Sequence, residues 1–170
     1  MSCTILTDGI AKDCSNNIGG VVKIYITDFA NVSSLSKTGS EISSFTMASG
    51  TLFYEFAFNR NTSTFTENAT VSVENGSLFY DQTVTLRIPR RESAKRDVLA
   101  LLMQKELAVI VKDANGNYWY PGETKGCYVS ELPSESGTAA GDFNGYTITI
   151  KGEEGAQAPE VTGAAVAAVI

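Results

Sequence analysis

The chain has 170 residues, of which 43% are hydrophobic and 19% charged, and its formal net charge is −6 with no histidine anywhere. This length and apolar fraction suit one packed domain and exclude wholesale disorder. The acidic balance disfavours gripping nucleic acid by phosphate neutralisation, and the missing histidine removes Ser–His and Cys–His nucleophile pairs and every histidine zinc site.

Residues 1–17 mix polar, small and apolar types without a period and read as an N-terminal arm. "MSCTILTDGIAKDC" lacks a basic start followed by an apolar run, so no secretory leader is expected in it. Cys3, Cys14 and Cys127 are odd in number and scattered, which predicts reduced thiols of a cytosol rather than a disulfide framework. The first strand is "GGVVKIYITD" at 19–28, where Val22, Ile24 and Ile26 alternate with Val21, Lys23, Tyr25 and Thr27. Residues 29–43, rich in Ser, Gly and Asn, read as a loop with room for one helical turn. Residues 44–59 hold two strand-like runs around Ser49-Gly50, the second with Leu52, Tyr54, Phe56 and Phe58 on one face.

"STFTENATVSV" and "SLFYDQTVTLRI" flank Asn75-Gly76, a dipeptide that supplies the positive φ angles of a type I′ turn and so predicts a long hairpin. Both faces of its arms lean polar, which suits an edge that another subunit covers. A helix is predicted over 90–107, with Ala94, Val98, Leu101, Leu102 and Lys105 in one stripe that covers an open face of a sheet; a membrane-surface helix is the alternative, weakened by Glu92, Asp97 and Glu106. "LAVIVKDANGNYWYPG" at 107–122 is a second hairpin, turning at Asn115-Gly116. After "GCYVSEL" and a loop comes the closing strand in "GDFNGYTITIKGEE". In it Tyr146, Ile148 and Ile150 share an apolar face, while Thr147, Thr149 and Lys151 face water or another copy of the chain. The tail "GAAVAAVI" is far shorter than the ~20 residues that cross a bilayer, and no membrane partner is expected. The fold class that follows is mostly β, a sandwich or barrel of about eight strands with one flanking α-helix. That domain spans 18–158, between the arm at 1–17 and an apolar C-terminal tail at 159–170.

Carboxylates approach one another in sequence at Glu131/Glu135 and Glu153-Glu154, but neither pair belongs to a metal-binding loop, and both read as solvated charge. Tyr118, Trp119 and Tyr120 are consecutive and must alternate faces, so they cannot make one flat sugar-stacking platform. Asn-x-Ser/Thr triplets starting at Asn31, Asn61, Asn68 and Asn75 read as chance in a chain this rich in those residues. No catalytic residue, cofactor or metal site is expected. Arg87, Arg90, Arg91, Lys95 and Arg96 place five of the 13 basic residues within ten positions, and "GEEGAQAPE", with Glu153 and Glu154, is acidic. Such a division fits a solvated face, or the two halves of a head-to-tail contact between identical subunits.

The order of these elements, with "YWYPGETKG" and "GTAAGDFNGYTITIKGEE", resembles the major tail tube proteins of long-tailed bacteriophages, particularly in phages of Bacteroides-like bacteria, over roughly residues 15–158. The resemblance implies a virion structural protein, not an enzyme. Its β-sandwich or barrel would join sheets with siblings into hexameric rings, and the rings would stack into a tube. Double-stranded DNA would pass through the lumen without specific binding. Partners would be other copies and other tail or neck proteins, with assembly in the bacterial host cytoplasm and residence in the virion tail. The hairpin around Asn75 and Gly76 and the loop at 29–43 become candidates for ring-to-ring contact, and strand 145–151 for the shared sheet. A head–tail connector ring of the same fold, or a β-sandwich module binding a glycan or protein on the virion, are the alternatives.

Overall fold

The computed structural model describes residues 9–12 and 14–170. Strand β1 (Val21–Asp28) leads through a 3-10 turn into a hairpin of β2 (Val32–Thr38) and β3 (Glu41–Met47). A short β4 (Tyr54–Glu55) precedes the long hairpin of β5 (Thr64–Ser72) and β6 (Ser77–Pro89). Helix α1 (Ser93–Leu102) follows, then β7 (Leu107–Asp113), β8 (Tyr118–Trp119), β9 (Tyr128–Glu131) and β10 (Ser134–Glu135). The chain closes with β11 (Gly145–Glu154), β12 (Glu160–Val161) and a single-turn helix α2 (Gly163–Ala167). The strands form a seven-stranded sheet in the order β2-β3-β12-β8-β7-β1-β4 and a five-stranded sheet in the order β10-β11-β6-β5, with β9 also on β11. This is the mostly-β fold with one main helix that the alternations predict, a sandwich of two sheets and not a barrel, with twelve strands among the described residues against about eight expected, the extra ones being mostly short.

Strand β7 shows why the large sheet is central. Leu107, Val109 and Val111 point into the core between the sheets, whereas Ala108 and Ile110 point into a second core on the far side. A strand covered on both faces must be apolar at every position, and "LAVIV" is. The inter-sheet core gathers Ile24 and Ile26 from β1, Val84, Leu86 and Ile88 from β6, and Ile148 and Ile150 from β11. The far core holds Ile42, Phe53, Tyr120, Val161, Val166 and Val169.

The structure departs from the sequence reading at several points. Residues 29–43 are a 3-10 turn and most of a hairpin, not a loop. The stretch 159–170 is built into the domain: β12 lies between β3 and β8, Val169 O accepts from Phe53 N at 2.8 Å, and Thr162 Oγ1 caps α2 by accepting from Ala165 N at 3.3 Å. The long hairpin forms, but its turn spans Val73–Gly76, where Gly76 has φ 60 and Asn75 is not left-handed, so the type I′ geometry is absent. The helix is shorter than predicted because Pro89 and a left-handed Arg90 (φ 66) delay its start and Glu92 is still extended. Of the apolar stripe expected to pack down, only Leu102 is buried. Leu99 joins it, while Ala94, Val98 and Leu101 remain exposed.

Candidate assembly surfaces

Strand edges are where a sheet can be extended by another chain. β11, expected to be the joining strand, is internal. It pairs with β6 from Gly145↔Pro89 to Glu154↔Tyr80, and β9 and β10 cover its other side. Tyr146, Ile148 and Ile150 are accordingly buried in the inter-sheet core and cannot touch a neighbour. The reason is the return of "CYVSEL" and "PSE" over the strand, in pieces too short to carry a strand signal of their own.

The long open edge belongs to β5. It pairs with β6 over nine residues without a bulge, and among the described residues no other backbone-to-backbone hydrogen bond reaches residues 64–72; the Ala158 N–H reaches only the Glu67 side chain. It carries neither proline nor lysine. The other edges among the described residues are bulged or short: β2 is bulged at two places and bears Lys37, β9 has four residues, and β4 and β10 have two each. Natural sheets blunt lone edges with bulges, lysines, brevity or inward-pointing charge; β5 has only the last, Glu67, whose carboxylate is turned back to Gln82 Nε2 (3.0 Å) and Ala158 N (2.7 Å).

The two faces beside this edge differ. Outward, rows cross the sheet as Thr64–Thr85–Thr149, Thr66–Thr83–Lys151–Tyr128 and Asn68–Asp81–Glu153, a hydroxyl-rich surface with exposed aromatic rings only at its margins, Tyr128 on β9 and Phe79 toward the hairpin tip. Inward lies a cleft of about 520 Å³ lined by Ile18, Phe65, Val111, Trp119 and Ser63, among others. The Ser63 hydroxyl is buried there and has no hydrogen-bond partner among the described residues. A strand laid against β5 would direct alternate side chains into this space. Beyond the body of the sandwich both faces of the hairpin are exposed, and Asn75 and Gly76 stand at its tip with Val71, Val73, Leu78 and Phe79.

At the opposite end of β6 the basic run is partly self-neutralised. Glu92 pairs with Arg90 at 2.9 Å and with Lys95 at 3.5 Å, and Asp97 pairs with Arg96 at 3.2 Å. Lys95 Nζ also donates to the carbonyls of Pro89 (2.8 Å) and Arg90 (3.2 Å), closing the turn into α1. Arg87 lies over the Phe143 ring at 3.9 Å from its centroid. Arg91, for which no ion pair is seen among the described residues, lines a shallow depression with Arg96, Ser136, Asn144 and Tyr146.

The acidic candidates separate. Glu153 is exposed and stands opposite Asp81, a like-charged cross-strand pair. Glu154 is buried and accepts from the backbone N–H groups of Thr124 (2.8 Å) and Lys125 (2.9 Å), so it anchors a turn rather than forming a rim. That turn needs glycine at 122: φ is 69, and a Cβ there would lie 2.5 Å from Cys127 Sγ. Burial first, and the Glu154 carboxylate second, push the Cys127 thiol up to about 12. Since the thiolate is the reactive form, iodoacetamide is expected to spare Cys127 in the native protein and to label exposed Cys14, with Cys127 labelled only after denaturation. Mass spectrometry of the alkylated peptides checks this; Cys3 lies outside the described residues.

The other singled-out groups do not converge. Among the described residues no cluster of three or more His, Cys, Asp or Glu is placed to hold a metal ion. Asp142 closes its own loop by accepting from Ala139 N (2.7 Å) and Thr138 N (2.8 Å), which hold its carboxyl below the ordinary value. Tyr120 is wholly buried, while Tyr118 and Trp119 are half-buried on opposite faces. Among the described residues no helix is long and apolar enough to cross a membrane. The polar-leaning arms of the Asn75-Gly76 hairpin point to an edge already in the sequence; which arm stays open does not follow from them, and it is β5, because β11 covers the other side of β6. No family model and no curated protein matches the chain.

Proposed function

We propose that this chain is a virion structural protein whose copies complete one another's sheets into rings, and that the rings stack into a phage tail tube through which genomic DNA passes. The observation that carries the reading is the open, unbulged nine-residue edge of β5, which bears neither lysine nor proline. Such an edge is an aggregation hazard in a lone chain and an asset in a closed ring, where a neighbour pairs it. Two further features support it. The outer face of the small sheet is hydroxyl-rich and suits a wall along which DNA slides without adhering. Charge is also polarised along β6: Glu74 and Asp81 lie toward the tip, and Arg87, Arg90 and Arg91 toward the far end, as head-to-tail stacking requires.

A head–tail connector ring of the same fold would use the same edge, and tube growth separates the two. Replacing Arg90, Arg91 and Arg96 by glutamate is expected to shorten or abolish stacks while the thermal unfolding transition stays in place, since all three side chains are exposed. Negative-stain micrographs of purified protein provide the readout. Tubes of unchanged length would remove the basic patch from the mechanism, and dispersed single chains of the unsubstituted protein at high concentration would remove the assembly reading itself.

A further inference from the structure

We propose that an apolar groove between α1 and the 54–57 segment is the socket for the β5–β6 hairpin tip of a second copy. The proposal rests on the head-to-tail reading above and names the two surfaces that meet. The groove is continuous: one part, of about 540 Å³, runs past Ile26, Phe56, Leu101 and Leu102, and the next, of about 330 Å³, past Ala94, Val98 and Ile88. Val98 and Leu101 are 48% and 58% exposed on its wall, though they continue the apolar arc of α1 that buries Leu99 and Leu102. A helix whose apolar arc is wider than its own chain covers is half of an interface.

The matching half is on the same molecule. Val71 and Val73 are 65% and 90% exposed at the hairpin tip, beside exposed Leu78 and Phe79. The tip protrudes where the groove is concave. It cannot fold back into its own groove: from Gly76 to Ile88, which lines the groove, β6 runs roughly 40 Å at ~3.3 Å per residue. Displacing one copy along the β6 direction instead brings the tip of one onto the socket of the next, a heterologous contact that repeats.

Charge agrees with the apolar fit. Residues 64–81 carry Glu67, Glu74 and Asp81 and no lysine or arginine. Residues 87–105 carry Arg87, Arg90, Arg91, Lys95, Arg96 and Lys105 against Glu92 and Asp97. The groove's own lining is balanced, Lys95 and Lys105 against Asp28 and Glu55, and the positive excess lies in Arg87, Arg90, Arg91 and Arg96 of the same segment, so an acidic apolar knob is favoured here over knob-to-knob pairs.

The test uses the full chain with Cys3→Ser and Cys14→Ser, leaving only the buried Cys127. Val73→Cys and Val98→Cys are made in separate chains, mixed, and oxidised. A covalent dimer that appears in the mixture and is absent from either variant alone is expected, and Leu101→Asp in the Val98→Cys chain is expected to abolish it without moving the thermal transition. If the unsubstituted protein assembles but the mixture yields no covalent dimer, and Val98→Asp with Leu101→Asp leaves assembly intact, the socket is overturned while sheet completion stands. If the unsubstituted protein stays a single chain at every concentration, both fail together.

Discussion

Deleting residues 160–170 is expected to leave a chain with no cooperative unfolding transition. β12 has only two residues, yet it is the sole link between β3 and β8 in the order of the large sheet. Val161 pairs with Ile42 on one side and Tyr118 on the other. Behind it Ala165, Val166 and Val169 close the far core over Ile110 and Tyr120. Removing the segment exposes that core and breaks the sheet into two parts, at a cost comparable with the ~5–15 kcal/mol of a typical domain. Val161→Asp isolates the packing from the covalent change. Burying an unpaired carboxylate there is expected to cost several kcal/mol, about 3 or more, and to depress the thermal midpoint or abolish the transition. Circular dichroism melts and limited proteolysis check both variants. An ordinary transition in the truncated chain would mean that the sheet closes without β12 and that the stretch is an appendage after all.

Placing lysines on the open edge, as Thr66→Lys with Thr70→Lys, is expected to separate folding from assembly. Both threonines are exposed and lie on the outward face of β5, so the single chain tolerates the change. Lysine is the side chain that natural edge strands use against pairing with other sheets. Two of them on each joining strand should raise the concentration needed for assembly at least about tenfold, equivalent to about 1.4 kcal/mol per contact, and added salt should recover part of the loss by screening the charges. Sedimentation velocity over a concentration series gives the shift. Unchanged assembly by the lysine variant would move the joining surface away from β5.

These two predictions differ in how far the sequence foreshadows them. The long β5–β6 hairpin is legible because Asn75-Gly76 punctuates two runs of strand-forming residues, and β7 because five consecutive apolar residues demand cover on both faces. What is not legible is which strand lies beside which. The alternation of Tyr146, Ile148 and Ile150 identifies a half-buried strand whether its edges are open or closed. The closure comes from β9 and β10, of four and two residues, which leave no periodic trace. Strands β2 and β3 hide for a related reason: "VSSLSKT" and "EISSFTM" are serine-rich, and only Ile42 of them is fully buried. In "GAAVAAVI" small apolar side chains give little contrast between faces, so a packed turn of helix looks like a loose tail.

The assembly surfaces were legible in composition more than in geometry. Clustered arginines at 87–96 are plain in the sequence, but Glu92 and Asp97, which neutralise three of those basic side chains, act through contacts that spacing alone does not settle. Glu153 and Glu154 look alike as neighbours. In the fold one is solvated and the other is held inside by two backbone N–H donors, as strand alternation places successive side chains on opposite faces. The apolar arc of α1 was read as core because periodicity reports amphipathicity and not what covers it. The uncovered remainder, Val98 and Leu101, is the part with consequences for a partner.

Amide hydrogen exchange of residues 64–72 as a function of protein concentration bears on the sharing of β5 between copies. In dilute protein the amides of β5 that point away from β6 should exchange quickly, and they should become protected as larger particles form. Equally fast exchange of those amides when particles are abundant would show that β5 stays bare and that the copies are held together, if at all, by some other surface.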